Sequence, residues 1–247
     1  VTESFYDNPD FVTKQLIPHN GKLLVVGGQR INSYNLDLSG TPTSLVEYRV
    51  GLGLDYLGLS RFGTAIVDGN VLIIGGELDN GADEIFSYNI ATEQMSILAE
   101  LPAPRFGARG EVVNNKLYVF GGTEEFFTPP ANNTIFIYDL GAQSFATENM
   151  PKAVDLTYTG KIENLIYVAG RIDTLDENNT LVDREPFLGV YDTTNGTFQE
   201  LETNLDSPAL ETIHSMAVFD NALYILYGQG NPVEGELQTW SILAADL

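Results

Sequence analysis

Five times along the chain an apolar run ends in a glycine step: KLLVVGG at 22–28, NVLIIGG at 70–76, KLYVFGG at 116–122, NLIYVAG at 164–170 and NALYILYG at 221–228. The closing glycines, Gly28, Gly76, Gly122, Gly170 and Gly228, recur every 46 to 58 residues. A unit repeated at such a period cannot bury its apolar face alone and must stack on its own copies. The architecture is therefore an array of like units, and function has to be sought where the units differ.

Each unit spells out its strands. Just before every glycine-ended run a short segment closes in a two-residue turn: His19-Asn20-Gly21-Lys22, Val67-Asp68-Gly69-Asn70, Val113-Asn114-Asn115-Lys116, Ile162-Glu163-Asn164-Leu165 and Phe219-Asp220-Asn221-Ala222. Asn and Gly tolerate the positive φ that tight hairpins demand, so each turn predicts a strand–turn–strand pair. A third strand rich in aromatics follows, marked by Tyr34, Tyr88, Tyr138, Tyr191 or Trp240. A fourth, such as QMSILAE or QSFATE, closes the unit. Four antiparallel strands at a period near 50 read as one blade of a β-propeller. The fifth unit runs out at Leu247, while TESFYDNP near the start of the chain reads like QSFATENMP, with Phe5 in the place of Phe145. The expectation is one domain over 1–247, with blades near 11–50, 61–100, 105–149, 153–202 and 211–247 plus 1–8. An N-terminal strand would complete the C-terminal blade and leave no open edge.

The double glycine after an apolar strand, the aromatic that follows it, and RFG at 61–63 and 105–107 resemble the kelch repeat. The resemblance runs through all five units and implies an all-β, kelch-type propeller of five four-stranded blades. It departs from the family at Ala169-Gly170 and Tyr227-Gly228, and in having tryptophan only in the last unit. Kelch rings usually have six or seven blades, and six units of this period would need roughly 290 residues. The chain is read either as an unusual five-bladed ring or as a fragment of a longer protein, and the likeness of its two ends favours the ring.

In an antiparallel blade the first–second and third–fourth turns share one end of the disc, and these are short throughout. The second–third connections and the links between blades share the other end, with the longer stretches 77–84, 123–133, 171–186 and 229–235 and the link 51–60. Long, varied segments on a rigid scaffold are where binding concentrates. The candidate ligand-binding residues there are Arg30, Arg61, Glu77, Arg105, Arg171, His214 and Gln229. By resemblance, the arginine of RFG grips acidic groups of a peptide ligand, which assigns that role to Arg61 and Arg105. The competing reading makes each arginine an ion-pair partner between blades.

Composition narrows the chemistry. Twelve basic residues face 34 acidic ones, a net charge of −22, which repels nucleic acid and anionic membranes and keeps the chain dispersed. No 18-residue apolar stretch exists for a membrane span. Without cysteine there is no disulfide, thiol catalysis or thiolate metal site, and with two histidines the copper oxidases of the kelch group are excluded. The iron triplet of plant specifier proteins fails because Leu210 stands where its histidine belongs after Glu202 and Asp206. The acidic stretches 79–84 and 173–179 follow no calcium-loop register, so no tight calcium site is expected. The triplets beginning at Asn132, Asn178 and Asn195 would accept N-glycans in a eukaryotic secretory route. Val1 is neither an initiator methionine nor part of an apolar leader, so a processed or trimmed chain is expected, extracellular or periplasmic, with a cytoplasmic home as the other option.

The expected function is a non-enzymatic, monomeric module that holds a peptide, protein or glycan on its loop-rich face without cofactor or metal. The alternative is an enzyme acting on a sugar or small polar molecule at the channel mouth. Bacterial sialic acid epimerases, which resemble kelch rings too, supply its template.

Overall fold

The computed structural model describes residues 15–27, 30–35, 43–47, 61–76, 83–125, 128–178, 181–202, 212–229 and 239–246. They form an all-β propeller. Blade I contains β1 (Gln15–His19), β2 (Lys22–Gly27), β3 (Arg30–Asn35) and β4 (Thr43–Glu47). Blade II contains β5 (Gly63–Val67), β6 (Asn70–Ile74), β7 (Glu84–Asn89) and β8 (Gln94–Glu100). Blade III has β9 (Arg109–Val113) and β10 (Lys116–Phe120), a small hairpin of β11 (Thr123–Glu125) and β12 (Thr128–Ala131), then β13 (Thr134–Asp139) and β14 (Ser144–Asn149). Blade IV has β15 (Asp155–Ile162), β16 (Leu165–Leu175), β17 (Leu181–Asp192) and β18 (Thr197–Glu200). A fifth sheet has three strands among the described residues: β19 (Thr212–Phe219), β20 (Ala222–Gln229) and β21 (Thr239–Asp246). The expected completing strand at residues 1–8 lies outside the described residues.

The turn chemistry sets the register. His19 pairs with Lys22, Val67 with Asn70, Val113 with Lys116, Ile162 with Leu165 and Phe219 with Ala222, which leaves two turn residues in each hairpin. Asn114 and Asn115 sit at φ +49° and +61°, and Asp220 and Asn221 at +48° and +60°. That mirror-image turn matches the natural twist of the strands it joins.

Innermost strands neighbour one another from sheet to sheet, β5 against β9, β9 against β15 and β15 against β19, so they line a common axis. The core lies in the seams between blades, because a sheet buried on both faces needs a partner on each side. One seam joins blades I and II through Val26, Ile31, Val71 and Tyr88, and the next joins II and III through Ile74, Leu117 and Phe136. Tyr118, Phe120, Val168 and Tyr191 fill the seam of III and IV, and Tyr167, Met216 and Ile225 that of IV and the fifth sheet.

Two stretches read from sequence as loops are instead built structure. Blade IV lacks a glycine pair, and with Ala169 inside β16 nothing turns the chain, so β16 and β17 stay paired from Leu165↔Asp192 out to Leu175↔Leu181. Most of 171–186 is thus a projecting hairpin. In blade III the stretch 123–133 folds largely into the β11–β12 hairpin, with Thr123 paired to Ala131. No helix among the described residues is long and apolar enough to cross a membrane.

Candidate functional site

The glycine pairs hold the mouth of the channel together. Gly75 and Gly76 adopt φ +57° and +92°, and Gly121 and Gly122 adopt +63° and +80°, a region costly to any residue with a Cβ. Turned this way, the Gly76 N–H donates to the Arg105 carbonyl (2.9 Å) and the Gly122 N–H to that of Val154 (3.0 Å). Each bond crosses to the next blade. The inner links are joined in the same manner, Gly107 N–H to the Arg61 carbonyl (2.6 Å) and Thr157 N–H to the Gly107 carbonyl (3.2 Å). The Thr157 hydroxyl adds a bond to the same Gly107 oxygen at 3.1 Å.

Four arginines gather on this frame. Arg105 is 1% exposed, its guanidinium 4.2 Å from the Phe136 ring centroid, with Nη1 donating to the Pro104 carbonyl (2.8 Å) and lying 3.5 Å from Glu124 Oε1. Burial lowers its pKa, and Glu124 works against that shift. Arg171 donates Nη2 to Asp155 Oδ2 (2.8 Å), and its Nε lies 3.5 Å from Asp173 Oδ1. In blade III the cation thus comes from the inner link and the anion from beyond the glycines, and in blade IV the two are exchanged. Arg61 is buried at φ +52°.

Arg109, which the sequence reading passed over, stands between them. Its Nη1 donates to the carbonyls of Phe62 (2.7 Å) and Ala108 (3.0 Å), and its guanidinium lies 5.6 Å from the centre of the Tyr158 ring. Burial pushes its pKa down, the Tyr158 phenol opposes this, and the like charge of Arg61 adds to it. Tyr158 is raised by burial while Arg109 and Arg171 pull it back. The visible hint was RFGARG, where a second arginine follows four residues after the first. Alternation along β9 then puts Glu111 on the same side as Arg109. Glu111 accepts from the Thr159 hydroxyl (3.3 Å) and lies 3.9 Å from Lys161 Nζ. Burial raises its pKa against the pull of Lys161 and Thr159.

The other sequence candidates are placed only by backbone. Arg30 opens β3 opposite Gly27, and Gln229 closes β20 opposite Thr239. His214 lies where the β19–β20 register slips between Ile213 and Ser215. Glu77 lies outside the described residues. Among the described residues no three acidic or histidine side chains cluster as a metal set, and Asp173 is turned towards Arg171. On the opposite face a shallow cavity of about 380 Å³ opens between blades I and II beside His19, Lys22, Leu24 and Ile90, where Lys22 Nζ donates to Asn35 Oδ1 at 2.6 Å.

The family model of the Kelch motif matches residues 104–146, which is blade III with the link that carries Arg105. That blade is thus similar to the kelch repeat. It is 32% identical over 117 residues to the Kelch-like protein terF of Aspergillus terreus, a match covering 43% of this chain and 25% of the fungal protein. It is 28% identical over 102 residues to the putative protein tag-53 of Caenorhabditis elegans, covering 37% of this chain and 8% of the worm protein. The matches thus span a quarter or less of either relative. Among solved structures, that of YjhT superimposes with a TM-score of 0.69 over 95% of this chain and 82% of YjhT. At 15% identity this likeness speaks for the fold alone.

Proposed function

We propose that the chain is a non-enzymatic binding module whose glycine-pair face holds the acidic groups of a peptide, protein or glycan. The supporting observation is Arg109. Among the described residues its hydrogen bonds go to carbonyls, and no carboxylate there pairs with it, although the chain carries −22. Its remaining donors, with Tyr158 and Arg61 beside them, suit a carboxylate or sulfate, which a guanidinium fork can take with two bonds. Arg171 borders the same place, and Arg105, stacked beneath on Phe136, supports the rim. Arg30, Glu77, His214 and Gln229 complete the proposed contact set. The β16–β17 and β11–β12 hairpins follow the glycine steps at this end of their blades.

The test uses an immobilised poly-glutamate peptide and a sulfated glycan as probes. Arg109→Ala and Arg61→Ala are expected to melt near the parent while losing capture at least tenfold. Arg105→Ala should instead lose stability. Undiminished capture by folded Arg109→Ala overturns the assignment. A second reading, an enzyme acting on a sugar or small polar molecule, draws on Glu111. An acid of raised pKa on the inner strand β9, 3.9 Å from Lys161, has the makings of a proton-transfer pair. Turnover abolished by Glu111→Gln would favour it.

The same proposal includes a closed ring of five blades, with residues 2–6 as the outer strand beside β21. Its support is the likeness of TESFYDNP to QSFATENMP.

A further inference from the structure

We propose that Asn195 is an N-glycan acceptor, and that its glycan occupies the turn face, away from the arginine cluster. Asn195-Gly196-Thr197 forms the connection between β17 and β18, and residues 194–197 are all exposed. The Asn195 Oδ1 accepts both the Thr197 N–H (3.0 Å) and the Thr197 hydroxyl (2.6 Å). Gly196 makes this closed turn at φ +70°, its N–H donating to the Asp192 carbonyl (2.9 Å). Among the described residues no partner takes the Asn195 Nδ2.

The chemistry follows from that arrangement. Two donors on Oδ1 draw density from the amide and make its nitrogen a better proton donor, while the nitrogen itself faces solvent. That nitrogen attacks C1 of a lipid-pyrophosphate-linked oligosaccharide, the C1–O bond breaks, the lipid pyrophosphate leaves with the electron pair, and the amide gives up one proton. The product is a bulky, solubilising group suited to a surface turn.

Geometry also separates this triplet from the one at Asn132. There Nδ2 donates to Glu124 Oε1 (2.8 Å), the carboxylate beside Arg105, and the backbone N–H donates to the Gly122 carbonyl (2.7 Å). A glycan at Asn132 would crowd the glycine frame. The triplet at Asn178 extends beyond the described residues. Asn195 stands at the turn end of blade IV, because its neighbour Thr193 donates N–H and hydroxyl, both at 2.9 Å, to the carbonyl of Asn164 in the β15–β16 turn. A glycan on that side leaves the arginine face open.

The experiment exports the full chain from insect cells behind an added leader and maps glycopeptides before and after N-glycanase. Asn195 should carry sugar, Asn195→Gln and Thr197→Ala should lose it, and Thr197→Ser should keep at least part of it. Asn132→Gln should leave the pattern unchanged. A secreted chain with Asn195 bare, or with sugar at Asn132, overturns the proposal, and the melting temperature of Asn195→Gln separates loss of sugar from loss of folding.

Discussion

Tyr191 and Tyr88 hold the same place on the third strands of blades IV and II, are buried alike, and differ in what their hydroxyls meet. Tyr191 donates to Glu148 Oε2 at 2.6 Å across the blade seam. The Tyr88 hydroxyl is buried with no hydrogen-bond partner among the described residues, and burial, with Glu93 adding to it, pushes its pKa up to about 12. Register explains the difference. Glu148 pairs with Ile135 on β14, and the residue in that position of blade I is Val46, opposite Ile31. Removing a hydroxyl that has a charged acceptor costs about 1.5–3 kcal/mol, reduced here because Glu148 is only half-buried, whereas removing an unsatisfied buried one costs nothing or stabilises. In urea titrations Tyr191→Phe should therefore lose about 1 kcal/mol and Tyr88→Phe should match or exceed the parent. Equal losses in the two variants would refute the comparison.

At the scale of elements, two glycines isolate what the repeat requires of its backbone. Gly21 sits in a hairpin turn at φ +74°, and a Cβ there would meet nothing within 4 Å. Gly122 sits at φ +80°, where a Cβ would fall 2.6 Å from the Phe106 carbonyl oxygen and 2.9 Å from the Ala108 nitrogen. Both alanine variants bear the cost of left-handed backbone, about 1–2 kcal/mol. Only Gly122→Ala must also displace the backbone of the link that enters β9 in its own blade, so it should exceed Gly21→Ala by at least about 2 kcal/mol in chemical denaturation. The contrast also explains the β16–β17 hairpin. Where the glycine pair is absent, the strand keeps going, and a stretch that looks like a loop by composition becomes an arm.

For the whole molecule, the proposed closure bears on cohesion. A propeller with an incomplete last blade has an apolar face and an unpaired strand edge at its seam, and an open ring loses packing on both sides of the gap. If residues 2–6 complete the fifth sheet, deleting residues 1–8 should lower the melting temperature by 10 °C or more, on the order of 3–5 kcal/mol for a domain of this size. An unchanged melting temperature would refute this closure.

Much of the fold was legible in the linear sequence because its determinants are local. Asn114-Asn115 demands positive φ wherever it occurs, and an apolar run ended by two glycines is a buried strand with a forced stop, so turns, strands and their register follow from neighbours in the chain. The channel mouth was legible only in outline. The glycine steps mark one end of the disc, yet Arg109 reaches the Phe62 carbonyl 47 residues away, and Thr157 bonds Gly107 fifty residues back. Which arginine meets a carboxylate, and which meets among the described residues only carbonyls and a phenol ring, depends on how far one blade is rotated against the next. That rotation is a property of packing between copies, and no stretch of a single repeat encodes it.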